Sequence, residues 1–156
     1  MKKVLIALDF NPDAPGVAEA GYELSKALNA QTILLHVTSD ATYYSSLNYS
    51  PIMGFDSFSD LDVLQTDTVD KLKKVAQSYL DKSKQHLGDE TIQTVVKEGD
   101  FAESILQTAT EMKADIIVIG THSRKGLDKI LLGSVAEKVL HHTSIPLFII
   151  PAKSLK

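Results

Sequence analysis

The chain has no cysteine, which excludes disulfides, thiolate zinc sites and cysteine nucleophiles. It has no excess of positive charge. Sixteen Lys and Arg stand against twenty Asp and Glu, a formal net charge of -4, which argues against a dedicated nucleic-acid binder. No apolar run approaches membrane-spanning length, so no membrane contact is expected. The opening MKKVLIALDF starts like a signal peptide, but its apolar run ends at Leu8, before Asp9. That is too short for a secretory core and no cleavage-like site follows, so a cytoplasmic protein is expected. Catalytic frames are missing as well. There is no H-E-x-x-H, no Ser-His-Asp order and no recognisable carboxylate pair, so the chain does not read as an enzyme. One internal stretch lacks a charge type: Thr38 to Asp70 has no Lys or Arg and six Asp. Within it, Thr38 to Leu64 shows no clear period and reads as a long variable acidic loop, or as a lid using Tyr43, Tyr44, Tyr49 or Phe55.

What is present is 44% hydrophobic and 23% charged residues over 156 positions, the composition of one soluble globular domain spanning 1–156. Lys2 to Leu8 (KKVLIAL) is a continuous apolar run, as expected of a strand buried on both faces. Asn11-Pro12-Asp13 has the residues of a helix start, and Val17, Gly21, Leu24 and Leu28 follow at helical spacing. Thr32 to Val37 (TILLHV) predicts a second strand. Asp67 to Leu87 predicts a helix with Val69, Leu72, Ala76, Tyr79, Leu80, Ser83 and Leu87 on one face. Thr91 to Glu98 predicts a third strand. Asp100-Phe-Ala-Glu103 resembles a capping box opening a helix that buries Ile105, Leu106, Ala109 and Met112. Asp115 to Ile119 predicts a fourth strand, Ser134 to Thr143 a helix with Val135, Val139 and Leu140 inward, and Pro146 to Ile150 a fifth strand. The order βαβαβαβαβ with right-handed crossovers gives an α/β fold: an open doubly wound five-stranded parallel sheet with helices on both faces. Ligands in such sheets bind outside the carboxyl ends of the strands, at the switch point, which singles out Asp9, Val37 and Gly120.

Three common phosphate motifs fail. The first turn reads DFNPDAPG rather than G-x-G-x-x-G, and Gly120 to Leu127 has five residues between its glycines and Leu127 where a P-loop needs Lys. The SGGxDS turn of pyrophosphatase type is also absent. A phospho-receiver would need an acidic pair after strand one, where this chain has Asp9 alone. What remains is Gly120 leaving strand four and Gly133-Ser134 opening the last helix, whose free N–H groups and positive dipole end attract anions. Arg124, Lys125 and Lys129 add positive charge between them. Each glycine taken alone could equally serve a turn, and Ser134 could serve as a helix cap. Among the five histidines, His36 reads as a hydrogen-bonded core residue, His86 as a favourable cation at a helix end, and His122 as a loop residue. The adjacent His141 and His142 point about 100° apart on a helix, too divergent to share a metal without further ligands.

In combination these features resemble the universal stress protein family. Its nucleotide-binding members carry G-x2-G-x9-G-[ST] after strand four. Here Gly120, two residues, Ser123, nine residues and Gly133-Ser134 reproduce that spacing, with serine at the second glycine position. The words VLIALD, LLHV, EGD, DIIVIGTHSRKG, LLGSVAEKVL and IPLFIIP match as well, over essentially the whole chain. The resemblance implies a Rossmann-like fold of the adenine nucleotide alpha hydrolase type. It implies a site for ATP, or for AMP or another adenine nucleotide, with any magnesium held through phosphate oxygens. Matched by position, Ala7 and Asp9 would lie near adenine and ribose, and Val37 would offer its backbone to the adenine edge. Gly120, Ser123, Arg124, Gly133, Ser134 and Val135 would cradle ribose and phosphates. It also implies a homodimer through the last strand, Pro146 to Ile150, and a nucleotide-dependent stress-response role. The competing expectations are a dimeric interaction or chaperone-like module whose nucleotide site has decayed at Ser123, and a weak ATPase using Arg124 and His122.

Overall fold

The computed structural model describes residues 2–9, 14–38, 68–123, 130–131 and 133–151. In chain order the elements are β1 (Lys3–Ala7), α1 (Ala14–Ala27), β2 (Gln31–Thr38), α2 (Thr68–Leu87), β3 (Gln93–Glu98), α3 (Phe101–Glu111) and β4 (Ile116–Gly120). Then come β5 (His122–Ser123), β6 (Ile130–Leu131), α4 (Ser134–His142) and β7 (Leu147–Ile150). Five strands form one sheet in the order β3-β2-β1-β4-β7, with every neighbouring pair parallel. This is the doubly wound sheet expected from the sequence.

The apolar strand runs explain the layering. Successive side chains of a strand face opposite sides of the sheet, so β1 sends Val4 and Ile6 to one face and Leu5 to the other. Val4, Ile6, Leu34 and Val118 pack under α1 and α2 with Val17, Leu72, Ala76 and Leu80. Leu5, Ile33, Leu35, Val37, Ile117 and Ile119 pack under α3 and α4 with Ala102, Ile105, Ala109, Ala136 and Val139. Burying each large aliphatic side chain contributes about 1.5–3 kcal/mol. Two filled faces are what a parallel sheet requires, and they account for strands that are apolar without alternation.

Several sequence expectations shift at the edges of elements. Leu28 is exposed rather than part of the α1 face. The helix ends at Ala27, and Asn29 takes a left-handed turn at φ 52°, a conformation that asparagine tolerates. Leu140, expected inward, is 47% exposed. The inward stripe of α4 is Ala136 and Val139, with Val135 at its margin, and Leu140 lies one helical step beyond it. β3 begins two residues later than expected because Asp89 ties up Thr91, accepting its backbone N–H at 2.8 Å and its hydroxyl at 2.6 Å. On α2, Leu72, Val75, Ala76, Tyr79, Leu80 and Ser83 are buried as a stripe. β5 and β6 pair antiparallel as a two-residue ladder that hydrophobic periodicity does not reveal. The Asn11-Pro12-Asp13 start, most of the Thr38–Leu64 loop and Val69's side chain lie outside the described residues. Among those residues, no helix is long and apolar enough to cross a membrane.

Candidate functional site

The chain runs outward from β1 to β2 and β3, then returns to the other side of β1 as β4. The switch point therefore lies between β1 and β4. Ala7 closes β1, Thr38 closes β2 just after Val37, and Gly120 closes β4. The β1–β2 ladder continues one residue further, because the Leu8 N–H donates to the Leu35 carbonyl at 2.8 Å. Val37 is buried beneath α3 and α4, and Ala7 and Val135 pack at the margin of that same cluster. Three of the expected site residues thus border one apolar wall at the carboxyl end of the sheet.

Asp9 follows with its side chain exposed, while its backbone is held from below. The Tyr79 hydroxyl on α2 donates to the Asp9 carbonyl at 2.6 Å. His36 Nδ1 on β2 lies 2.8 Å from the Leu8 carbonyl. A carbonyl can only accept, so Nδ1 carries the hydrogen. Burial pushes the His36 pKa below its ordinary value, against the opposing pull of the Leu8 hydrogen bond and the Asp9 charge, and the ring is neutral. The two aromatic rings meet edge to face, with centroids 5.8 Å apart and planes at 68°. From sequence, His36 reads correctly as a packed core residue, but Tyr79 reads only as part of an apolar face. The available signal was the hydroxyl, since a buried tyrosine needs a partner for it.

At Gly120 the packing of the fold itself requires the missing side chain. A Cβ built there would stand 2.5 Å from Cγ2 of Val17, so the missing side chain lets α1 lie against the end of β4. Beyond it, the Thr121 N–H donates to the Ile150 carbonyl at 3.0 Å. Ser123 belongs to β5, paired with Ile130. A paired strand position is extended backbone open to any L-residue, so serine there carries no left-handed strain. Arg124, Lys125 and Lys129 lie outside the described residues.

The two helices on the far face begin differently. α3 is self-capped: the Asp100 carboxylate accepts the Glu103 N–H at 2.9 Å, the half of a capping box expected from sequence. That bond, ahead of the contribution of Lys138, holds the Asp100 carboxyl below its usual range. Lys138 of α4 reaches the same carboxylate at 3.3 Å, and both side chains are half exposed, so the pair adds at most about 1 kcal/mol. α4 instead has Gly133 as its N-cap, at φ 86° and ψ 151°, with no side-chain hydrogen bond. Ser134 is the first helical residue and exposed; it does not cap the helix. Among the described residues, the early N–H groups of α4 therefore have no side-chain cap, at the positive end of the helix dipole.

Three further histidines make polar contacts at the surface. His86 Nε2 lies 2.7 Å from the Glu19 carboxylate and ties α2 to α1. His142 Nδ1 bonds the Lys138 carbonyl at 2.8 Å, and His141 lies 3.8 Å from Glu137. Among the described residues no group of three or more His, Asp or Glu is arranged to hold a metal ion.

Comparison with known proteins adds to this geometry. The sequence profile of the universal stress protein family matches residues 1–151. Universal stress protein MJ0531 of Methanocaldococcus jannaschii is 29% identical over 152 residues, covering 96% of this chain and 81% of that protein. The solved structure of MJ0577 from the same organism superposes with a TM-score of 0.70 at 25% identity, covering 99% of this chain and 98% of that one. A universal stress protein solved in complex with cAMP shares the fold at a TM-score of 0.61 and 17% identity, covering 97% and 98% of the two chains. With the family profile matching nearly its full length, the chain belongs to the universal stress protein family.

Proposed function

We propose that this protein binds an adenine nucleotide, ATP foremost, at the carboxyl ends of β1, β2 and β4, and acts in the cytoplasm as a nucleotide-dependent stress-response module. The observation that carries the reading is the start of α4. Gly133 provides a helix N-terminus without a side-chain cap, on the same side of the sheet as the apolar wall of Ala7, Val37 and Val135. A phosphate would occupy the N-terminus, as anions do at uncapped helix starts, and Ser134 and Ser123 would add hydroxyl donors. The apolar wall suits an adenine ring, with the Val37 backbone at its edge, and the Asp9 carboxylate suits ribose hydroxyls. Gly120 would border the ribose and Arg124 the phosphates. These residues fit the group chemically. Magnesium, if bound, would come with the phosphate oxygens, which hard cations favour. A family member solved with cAMP supports an adenine nucleotide as the ligand class.

The test is isothermal titration of the purified protein with ATP, AMP, cAMP and GTP. Saturable heat with the adenine nucleotides and a much weaker response to GTP is expected. No heat at millimolar ATP rejects the reading in favour of a dimeric interaction module with a decayed site. Ser123 is the residue that motivates that alternative, and Ser123→Gly separates the two. Because Ser123 lies in a paired strand, little change in affinity is expected; a large gain would favour decay. Hydrolysis is not expected, so turnover with bound ATP should match a buffer control.

The same reading includes a homodimer through β7. This strand forms one edge of the sheet, and Phe148 on it is 46% exposed. An apolar edge of this kind invites pairing with a second copy, with Pro146 and Pro151 limiting the paired length. Sedimentation should give a dimer that Phe148→Asp weakens. A monomer at all concentrations rejects it.

A further inference from the structure

Three consecutive peptide units at the exit of β1 are fixed by groups from other elements. The Leu8 N–H is held by the Leu35 carbonyl of β2. The Leu8 carbonyl is held by His36 Nδ1, also of β2. The Asp9 carbonyl is held by the Tyr79 hydroxyl of α2. The last two matter most, because the peptide planes before and after a residue define its φ and ψ, and these define the direction of its Cα–Cβ bond. His36 and Tyr79 are both buried and their rings pack edge to face, so each ring helps hold the other in place. Asp9 is exposed, yet its backbone is anchored at both ends in the core.

We infer that His36 and Tyr79 are positioning residues that clamp the two peptides flanking Asp9 and so fix its carboxylate for the ligand. The inference rests on the nucleotide reading above and extends it inward, to residues that touch no ligand. A strand end that leaves the sheet loses the ladder that would hold it, and a carboxylate on a loose exit would have to be ordered at the cost of binding free energy. Two side-chain hydrogen bonds replace the ladder at the point where it stops. Both acceptors are backbone carbonyls, so neither of these two hydrogen bonds engages the Asp9 carboxylate.

The test is a double-mutant cycle read by calorimetric ATP titration. Tyr79→Phe removes one hydroxyl and keeps the ring, so the core stays filled. An affinity loss of about three- to tenfold is expected, the equivalent of one hydrogen bond, under conditions where urea unfolding shows the variant fully folded. Asp9→Ala should cost at least as much. In the Asp9→Ala background, Tyr79→Phe should have no further effect, because its action passes through Asp9. A purely structural tyrosine would give the same factor in both backgrounds, and that result overturns the inference. At the second anchor, His36→Asn keeps an N–H donor near the Nδ1 position and should bind more tightly than His36→Leu; equal affinities would also overturn it. If the unaltered protein shows no ATP heat, the nucleotide reading itself fails and this inference with it. If it binds but Tyr79→Phe binds equally well, the clamp alone fails.

Discussion

Gly120 sits between a packing role and a ligand role, and Gly120→Ala separates them. A Cβ there would stand 2.5 Å from Val17 Cγ2, with Val17 Cβ and Cγ1 both at 3.7 Å. Contact at 2.5 Å cannot be kept. Val17 is buried in α1, and a helical valine has one strongly preferred rotamer, so the conflict must be relieved by moving α1 or straining the side chain. Overpacking of this kind costs about 1–3 kcal/mol. The backbone itself is no obstacle, since Gly120 is not among the positive-φ glycines. Alanine would then recover about 0.4–1 kcal/mol by restricting the unfolded chain. The net expectation is a loss of about 1–2 kcal/mol, read by urea denaturation. Val17→Ala removes the clashing methyl and should rescue the variant. The double mutant should be more stable than the sum of the single effects by about 1 kcal/mol or more. Additivity within about 0.5 kcal/mol, the behaviour of independent sites, would refute the argument that Gly120 is small because α1 needs the space.

Further outcomes follow from the same geometry. Gly133→Ala should destabilise by about 1–3 kcal/mol, because φ 86° with ψ 151° is a region essentially reserved for glycine; an unchanged unfolding midpoint would contradict it. Asp100→Ala should cost about 1 kcal/mol through loss of the α3 cap, while Asp100→Asn, which can still cap, should cost less. His36 adds a pH dependence of known sign. Burial lowers its folded-state pKa, so below about 6.5 the unfolded chain binds a proton that the folded chain does not. Stability should therefore fall as pH drops through that value, by at most about 1.4 kcal/mol per pH unit from this group, until the folded pKa is reached. Urea unfolding between pH 7.5 and 5 should show a shallower fall for His36→Asn, and identical slopes would contradict the assignment.

The fold was legible because the central strand runs, such as VLIAL and TILLHV, are apolar on both faces, and the intervening helices carry a clear stripe. The ends of elements were less so. Leu28 and Leu140 continue a helical pattern that the core does not use, because burial is set by where the sheet ends and not by the period. The candidate site was legible in outline. Gly120 does end β4 and Val37 lies one residue inside the end of β2, whereas Asp9 lies two residues past the end of β1 at Ala7; Gly133-Ser134 does open the last helix. The support beneath it was hidden. Nothing in the spacing of Tyr79 links it to Asp9, seventy residues away, and the partner of Gly120 on α1 depends on the helix–sheet approach. The serine in the spaced glycine motif also looked different in three dimensions, since a paired strand makes no demand for glycine's backbone freedom.

A nucleotide at the switch point between β1 and β4 should be visible in amide chemical-shift mapping during an ATP titration. Saturable shifts are expected at Asp9, Val37, Gly120, Gly133, Ser134 and Val135, with little change at the opposite end of the sheet around Lys3, Gln31 and Asp115. Saturable shifts centred away from the carboxyl ends of the strands, or none at millimolar ATP, would contradict it.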